Sequence, residues 1–164
     1  MKTDRIIGIA VPRKEGRHKV TGQAQYIDDM SLPGMLYGAT VRTHIPRGKI
    51  TKISFGLGVP WDEFVVVSAK DIPGQNCVAL IVDDQPCLAD GVVNHPEEPI
   101  LLLAHPNRRL LPKAVEAVSI EYDPLPALFT IEQSERCAEI IWGKDNTFKT
   151  YLIEKGEPIR ELIG

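Results

Sequence analysis

A strand–helix–strand unit in the second half of the chain constrains the fold more than any other sequence feature. The apolar segment 99–104 ("PILLLA") predicts a buried strand, and Asn107 can cap a helix after it. Apolar residues then recur at helical spacing, at Leu110, Leu111, Ala114, Val115 and Val118. Segment 118–122 ("VSIEY") alternates as a strand with one apolar side. This order predicts a right-handed βαβ crossover.

Prolines are expected to affect the helix of this unit and to end its last strand. Pro112 either kinks the predicted helix or occupies its first turn. Pro124 and Pro126 have no backbone N–H, so they end the sheet instead of recruiting another strand. We call residues 123–129 the spur, and we expect its apolar residues to pack against a neighbouring domain. Full burial of Leu125 and Phe129 within this domain would remove the need for that neighbour.

The chain before this unit predicts an extended start followed by a strand. Residues 1–20 carry Pro12 and alternate only weakly, which indicates an extended arm and not a helix. Residues 19–29 ("KVTGQAQYIDD") predict a short strand. Pro33 and Gly34 occupy the central positions of a type II turn, because proline presets the first φ angle and glycine accepts the positive second one.

Further strands are predicted between this turn and the helix. Residues 35–43 and 49–55 alternate as strands, and so short a link between them predicts antiparallel pairing. Additional strands are predicted at 64–68, at 77–84, and as two short segments separated by Pro96. After the spur, Thr130 and Gln133 stand in capping-box register and predict a short helix. The predicted fold class is therefore α+β, with a mixed β-sheet rich in antiparallel strands, one βαβ crossover helix and short helices.

Composition and charge narrow the class of protein. A chain of 164 residues, 43% hydrophobic and 25% charged, has the size and composition of one globular domain. Residues 1–52 hold ten Lys/Arg and four Asp/Glu, whereas residues 53–164 hold nine and eighteen. The basic segment lacks the interleaved aromatic residues and recognition helix of a nucleic-acid binder, so we expect it to dock an acidic neighbour.

The cysteines and the apolar runs bear on the cellular location of the protein. Cys77, Cys87 and Cys137 are odd in number, far apart and outside any C-x-x-C motif, so neither a disulfide framework nor a zinc site is indicated. Free thiols without a signal-peptide pattern predict a cytoplasmic protein. The longest apolar run, 100–104, is too short to cross a bilayer, so no membrane contact is predicted.

The chain shows no catalytic pattern by its own residues. His95, Glu97 and Glu98 form the densest polar cluster, but adjacent positions on an extended chain point to opposite faces, which favours a charged bend over a metal site. Isolated histidines are interpreted as turn or surface residues: His18, His44 and His105. No serine lies in a G-x-S-x-G elbow. We therefore predict no catalytic, cofactor-binding or metal-binding residue in this chain.

Several sequence segments, taken in order, resemble the a/b hammerhead domain of molybdenum hydroxylases, the xanthine dehydrogenase and aldehyde oxidase family. The segments are "VPRKEGRHKVTGQAQYIDDMSLPGMLYGATVRTHIPRGKI", "AKDIPG", "EEPILLLAH" and "AVEAVSIEYDPLPAL", followed by "IEKGEP". Two departures stand out. Glu97 occupies a position where the family usually has glycine, and Pro112 interrupts a helix that is usually uninterrupted.

The resemblance implies a hammerhead domain over residues 1–137. Residues 138–164 would then be a linker and strand leading towards a molybdopterin-binding domain. In this family the enzyme hydroxylates a heterocycle or aldehyde with oxygen from water. It uses molybdopterin-molybdenum, with 2Fe-2S clusters and FAD on other domains or subunits. The implied partners are a molybdopterin-binding domain or subunit and iron–sulfur and flavin subunits.

Two other functions stay open at this point. One is a free-standing protein-interaction or binding module without enzymatic activity, which would need a closed polar surface. The other is a small enzyme that works from the bend at residues 95–98. The scaffold interpretation differs from both because it predicts that the chain alone is inactive and binds no cofactor.

Overall fold

The structure is a computed structural model that describes residues 7, 8, 10–78 and 82–156. The chain divides into two compact units, Met1–Met35 and Leu36–Gly164. The first unit holds helix α1 (Gly16–Val20) and a 3₁₀ helix at Ile27–Asp29. All strands among the described residues lie in the second unit.

Two three-stranded sheets form the second unit. The strands are β1 (Tyr37–Arg42), β2 (Gly48–Phe55), β3 (Val65–Val67), β4 (Val92–Val93), β5 (Pro99–His105) and β6 (Val118–Pro124). One sheet has the order β1-β5-β3 and the other the order β4-β2-β6. All four ladders between these strands are antiparallel. The structure thus confirms the α+β class and most of the predicted strand positions.

Strand β5 is the centre of the core: it is the middle strand of its sheet, and the face that carries Leu101, Leu103 and His105 is buried, whereas Leu102 on the other face is 38% exposed. Its residues Ile100, Leu101 and Leu103 are buried, and Leu103 is fully so. They pack in one cluster with Val41, Phe64, Ala89, Val93, Leu111 and Ala114. The apolar run that predicted a buried strand therefore reflects one buried face and two paired edges of β5, with Ile100 also buried on the second face.

Helix α2 (Leu111–Glu116) follows β5 through a capped 3₁₀ helix at Arg108–Leu110. The Asn107 side chain accepts a hydrogen bond of 3.0 Å from the backbone N–H of Arg109, as predicted. Pro112 lies in the first turn of α2, where its missing N–H costs nothing. Leu111 and Ala114 face the core.

The predicted βαβ crossover is wrong, because the two strands on either side of α2 belong to different sheets. β5 already has antiparallel neighbours on both edges, which leaves no edge for a parallel partner. Helix α2 contacts β1 and β5 of one sheet and β6 of the other, so it connects the two sheets. The mixed sheet is accordingly replaced by two antiparallel ones.

The predicted pairing of β1 with β2 is also wrong. β1 pairs with β5, whereas β2 pairs with β4 and β6. Thr43, in the link between the strands, is buried, and its backbone N–H donates to the carbonyl of Glu98 at 3.0 Å. This contact extends the pairing of β1 with the chain before β5 by one residue, so the chain leaves the first sheet only after Thr43.

Three remaining strand predictions have different outcomes. β3 confirms the strand at 64–68; it is an edge strand of its sheet, and Val65 is exposed. β4 and β5 confirm the two segments separated by Pro96. The segment 77–84 contains an antiparallel bridge between Val78 and Gln85, and its residues 79–81 lie outside the described residues.

The first unit differs from its predicted extended arm and strand. Residues 16–20 form α1, with a Lys19–Glu15 ion pair of 3.6 Å one turn apart. Gly22 then adopts a positive φ of 71° and ends the helical segment, so the strand predicted at 19–29 does not form. The type II turn is confirmed: Met35 N–H donates to Leu32 O at 3.1 Å, and Gly34 has φ 76°.

The end of the second unit contains α3 (Ile131–Glu135). Its capping box is confirmed, since Gln133 N–H donates to the Thr130 hydroxyl at 3.2 Å and the Gln133 side chain accepts from Thr130 N–H. Between residues 138 and 156 the described chain contains turns and no strand. The last eight residues lie outside the described part.

Candidate functional site

The acidic bend at residues 94–98 was the densest polar cluster in the sequence, and its side chains diverge. Glu98 is buried, and its carboxylate accepts the backbone N–H of Asn94 at 2.6 Å. His95 and Glu97 are exposed, and the His95 Nδ1 atom lies 2.8 Å from the carbonyl of Pro96. Among the described residues, no group of three or more His, Cys, Asp or Glu could hold a metal ion. The cluster is a charged bend and not a convergent ligand set.

Glu97 holds the bend in a conformation that favours glycine. Its φ is 65°, in the left-handed region. Its N–H donates to Thr43 O at 2.9 Å, and its carbonyl accepts from the Arg42 guanidinium at 2.7 Å. The glycine that the family resemblance places at this position is therefore explained by backbone geometry, and Glu97 keeps that geometry at a cost in strain.

His105 departs from its prediction as a turn or surface residue. It is buried at the end of β5, stacked on Phe64 with ring centroids 4.6 Å apart. Its Nδ1 accepts the N–H of Asn107 at 2.8 Å, which leaves the proton on Nε2, 3.5 Å from the Glu63 carboxylate. No sequence spacing links His105 to Glu63. His18 and His44 are exposed, as predicted.

The three cysteines are free and differ in exposure. Cys77 is half-buried, and desolvation raises the pKa of its thiol, with the nearby Asp83 carboxylate adding to the effect. A raised pKa keeps the thiol protonated and weakly nucleophilic. Cys87 and Cys137 are exposed, and the Cys137 thiol lies 3.6 Å from the carbonyl of Asp145.

Arg47 is the organising residue of the spur, and no pattern in the sequence indicated it. Its side chain is only 13% exposed and donates to the carbonyl of Pro126 at 2.7 Å and to the Glu139 carboxylate at 3.1 Å. Its own carbonyl accepts the N–H of Leu125 at 3.2 Å. Arg47 thus anchors the spur to the start of β2 by side chain and backbone together.

The spur presents apolar surface outward from this anchor. Leu125 is half-buried, whereas Phe129 is 74% exposed. Phe129 forms one side of a groove of 390 Å³ lined by Leu128, Phe129, Thr130, Ile131, Ser134, Ile141, Trp142 and Asn146. Full burial of Leu125 and Phe129 within this domain would have removed the need for a neighbour. Neither residue is fully buried, so the expectation of a neighbouring domain stands.

The groove keeps its shape through one asparagine. The Asn146 amide oxygen accepts from the N–H groups of Ile141 and Trp142, at 2.8 and 3.2 Å. The amide nitrogen donates to the carbonyls of Ser134 and Glu139, at 3.3 and 2.7 Å. Because the loop is preorganised by these bonds, its apolar side chains are available to a partner without further ordering.

No helix among the described residues is both long and apolar enough to span a membrane. The described second unit is a two-sheet body with an apolar spur that Arg47 anchors. It brings together none of the residue combinations that sequence reasoning tested for chemistry.

Comparison with known proteins identifies the family to which the chain belongs. A family model described as "Aldehyde oxidase and xanthine dehydrogenase, a/b hammerhead domain" matches residues 21–126. The chain is 29% identical over 158 residues to the nicotinate dehydrogenase large molybdopterin subunit of Eubacterium barkeri, covering 95% of this chain and 37% of that protein. It is 29% identical over 136 residues to xanthine dehydrogenase 2 of Arabidopsis thaliana, covering 82% of this chain and 10% of that one.

A solved structure supports the fold. The aldehyde oxidoreductase from Desulfovibrio desulfuricans ATCC 27774 matches with a TM-score of 0.79 and 22% identity, over 97% of this chain and 19% of that chain. The chain thus spans well under half the length of each protein compared. These matches to parts of large enzyme chains favour a hammerhead domain over a free-standing module. The chain belongs to the aldehyde oxidase and xanthine dehydrogenase family, and residues 21–126 are its a/b hammerhead domain.

Proposed function

We propose that this chain is the N-terminal scaffold domain of a molybdenum hydroxylase. The observation that carries the proposal is the hammerhead match over residues 21–126, in a chain that spans 37% of a relative named as a large molybdopterin subunit. The scaffold holds the cofactor-binding region in place and shapes the approach of the substrate. We assign the hammerhead domain to residues 1–137 and the lead towards the molybdopterin-binding domain to residues 138–164.

The cofactors of the enzyme lie outside this chain in our proposal. The molybdopterin-binding domain or subunit holds the molybdenum, and iron–sulfur and flavin domains or subunits carry 2Fe-2S and FAD. The molybdenum cofactor supplies the hydroxylation of a heterocycle or aldehyde carbon with oxygen from water. Glu98 is buried and accepts a backbone N–H, which supports a structural role for this carboxylate of the bend. We place the enzyme in the cytoplasm, where unpaired cysteines are usual.

The spur supplies a contact with the cofactor-binding region. Phe129 of the spur and Ile131 of α3 are each 74% exposed and both line the groove, and the Arg47–Pro126 bond holds the spur. Burial of these two side chains at an interface would remove apolar surface from water and so favour association. This contact is part of the scaffold role and needs no residue with catalytic chemistry.

The proposal is tested by adding the chain to the molybdopterin-binding part of the enzyme, expressed as a separate polypeptide. We expect a stable complex by light scattering, molybdenum in the complex by elemental analysis, and hydroxylation of an aldehyde or heterocycle only when both parts are present. Phe129→Ser should weaken the complex. Leu57→Ser, at a fully exposed apolar residue of a turn, is the matched control. Molybdenum or turnover with this chain alone would refute the proposal.

A further inference from the structure

The first unit of the chain has a defined backbone but almost no buried side chains. We call residues 10–35 the docking arm. Neither α1 nor the 3₁₀ helix at Ile27–Asp29 contains a buried residue. Large apolar side chains are exposed along its length: Val11, Val20, Tyr26, Ile27, Met30 and Leu32. Ile27 is 85% exposed, although a residue of this kind is normally among the most buried in a protein.

Local hydrogen bonds, and not a core, give the docking arm its shape. After α1 the chain reverses at Gly22, and the N–H groups of Gln23 and Ala24 both donate to His18 O, at 2.8 and 2.9 Å. Farther along, Tyr26 N–H donates to the Asp29 carboxylate at 3.0 Å. The arm therefore presents its apolar side chains in a set arrangement without covering them.

The inner side of the reversal is a concave basic surface. A cavity of 620 Å³ is lined by Lys14, Glu15, His18, Lys19, Gln23, Ala24, Gln25 and Tyr26. Glu15 is the acidic residue of this surface, and it is already engaged with Lys19 at 3.6 Å and with Arg13 at 3.9 Å. Lys14 and Arg17 make no ion pair within the described part of the chain, so their charges are available to an outside carboxylate.

Charge and apolarity together define the partner surface. Residues 10–20 contain four Lys/Arg and one Asp/Glu, a net charge of +3. Phosphate-rich nucleic acid would satisfy those charges but would leave Ile27, Met30 and Leu32 uncovered. A membrane surface is disfavoured because α1 has only five residues, of which Val20 alone is apolar. An apolar protein patch bordered by Asp and Glu satisfies both features.

We infer that the docking arm binds the molybdopterin-binding part of the enzyme, on an apolar patch bordered by carboxylates. The inference rests on the proposed function, and it names a contact separate from the spur. The basic helix α1 precedes residue 21, where the hammerhead match begins. The arm therefore adds an electrostatic contact to the apolar one that the spur supplies.

The test measures the Kd of the full chain for the molybdopterin-binding part of the enzyme at several salt concentrations. The charge variant is Lys14→Glu with Arg17→Glu, and its matched control is Lys70→Glu with Lys113→Glu, which makes the same charge change at exposed lysines of the second unit, away from the spur and its groove. The apolar variant is Ile27→Ser with Leu32→Ser, and Leu57→Ser is its control. Because these side chains are exposed, the variants leave the fold of the free chain intact.

We expect each arm variant to weaken binding by about tenfold or more, and the charge variant also to flatten the salt dependence. The controls should stay within about twofold, as exposed substitutions outside an interface do. Wild-type binding that the arm variants leave unchanged would overturn the inference and leave the proposed function standing. No wild-type binding at all would remove both.

Two further outcomes would also overturn the inference. In the first, the arm variants abolish self-association of this chain and not binding to the molybdopterin-binding part, which would make a second copy the occupant. In the second, the wild-type chain binds vesicles of equal phosphatidylserine and phosphatidylcholine through Lys14 and Arg17, with no effect of either on the protein complex. Sedimentation of the same variants, alone and with these vesicles, measures both.

Discussion

The two-sheet body (residues 37–124) and the docking arm (residues 10–35) reach defined backbones by different means. The body buries an apolar cluster around β5, with Leu103 and Ala114 fully enclosed. The arm has turns, a helix and capped segments, but its apolar side chains face outward. Local hydrogen bonds can therefore specify a shape, whereas burial of apolar surface supplies the stability. A segment with the first and without the second is suited to binding.

The largest difference between the regions should appear when an apolar side chain is shortened in each. Leu103→Ala removes fully buried atoms of β5, so we expect the free energy of unfolding to fall by about 2–5 kcal/mol. Ile27→Ala in the arm should change it by less than about 0.5 kcal/mol, because the side chain is already in water. Urea denaturation of both variants measures this. Equal losses would contradict the division into body and arm.

A smaller effect should distinguish the anchored spur from ordinary surface ion pairs. Arg47→Met leaves Pro126 O and the Glu139 carboxylate without their donor, and we expect a loss of about 1–3 kcal/mol. Lys52→Met breaks the exposed pair with Glu121 and should cost about 0–1 kcal/mol. The same denaturation assay applies. A cost at Arg47 no larger than at Lys52 would show that the spur is not anchored as described.

A third change should stabilise the body without touching its core. Glu97→Gly releases the strain of a left-handed φ of 65°, so the free energy of unfolding should rise by about 0.5–1 kcal/mol. Glu97→Ala keeps the strained backbone and removes only the side chain, so it should bring no such gain. Thermal unfolding of the pair compares them. An equal gain from alanine would mean that the side chain, and not the backbone, is the source.

The smallest effect concerns a carboxylate on the surface of the body. The Ser68 hydroxyl and then the Ser68 backbone N–H donate to Asp71 and lower its pKa below the usual 3.8. A lowered folded-state pKa stabilises the fold above the unfolded pKa, and that contribution is lost as the pH falls through the folded value. Ser68→Ala should move the Asp71 pKa back upward in an NMR titration. An Asp71 pKa at its ordinary value in the wild type would contradict the assigned bonds.

Local chemistry in the sequence predicted local structure well. Pro33 and Gly34 form the predicted turn, and Asn107 and Thr130 cap the predicted helices, because each signal acts within a few residues. The exception is residues 16–29, where a five-residue helix and a glycine reversal replaced the expected strand. There the apolar alternation had no core to face, so periodicity carried no information about burial.

The sequence did not determine which strands pair with which. A strand–helix–strand order fits both a parallel crossover and a step between two sheets, and the choice depends on β1 and β3 occupying both edges of β5. The anchor at Arg47 likewise joins groups that are distant in the chain. Glu97 is different, since the glycine expected from the family resemblance was a usable signal of a left-handed backbone.

Hydrogen exchange on the free chain and on its complex with the molybdopterin-binding part tests the central claim most directly. In the free chain we expect slow exchange at the amides of β5 and β2 and fast exchange across residues 10–35, since protection follows burial and cooperative unfolding. On assembly, the docking arm and residues 125–131 should gain protection while β5 changes little. Slow exchange of the arm in the free chain, or an arm that stays unprotected in the complex, would contradict the account.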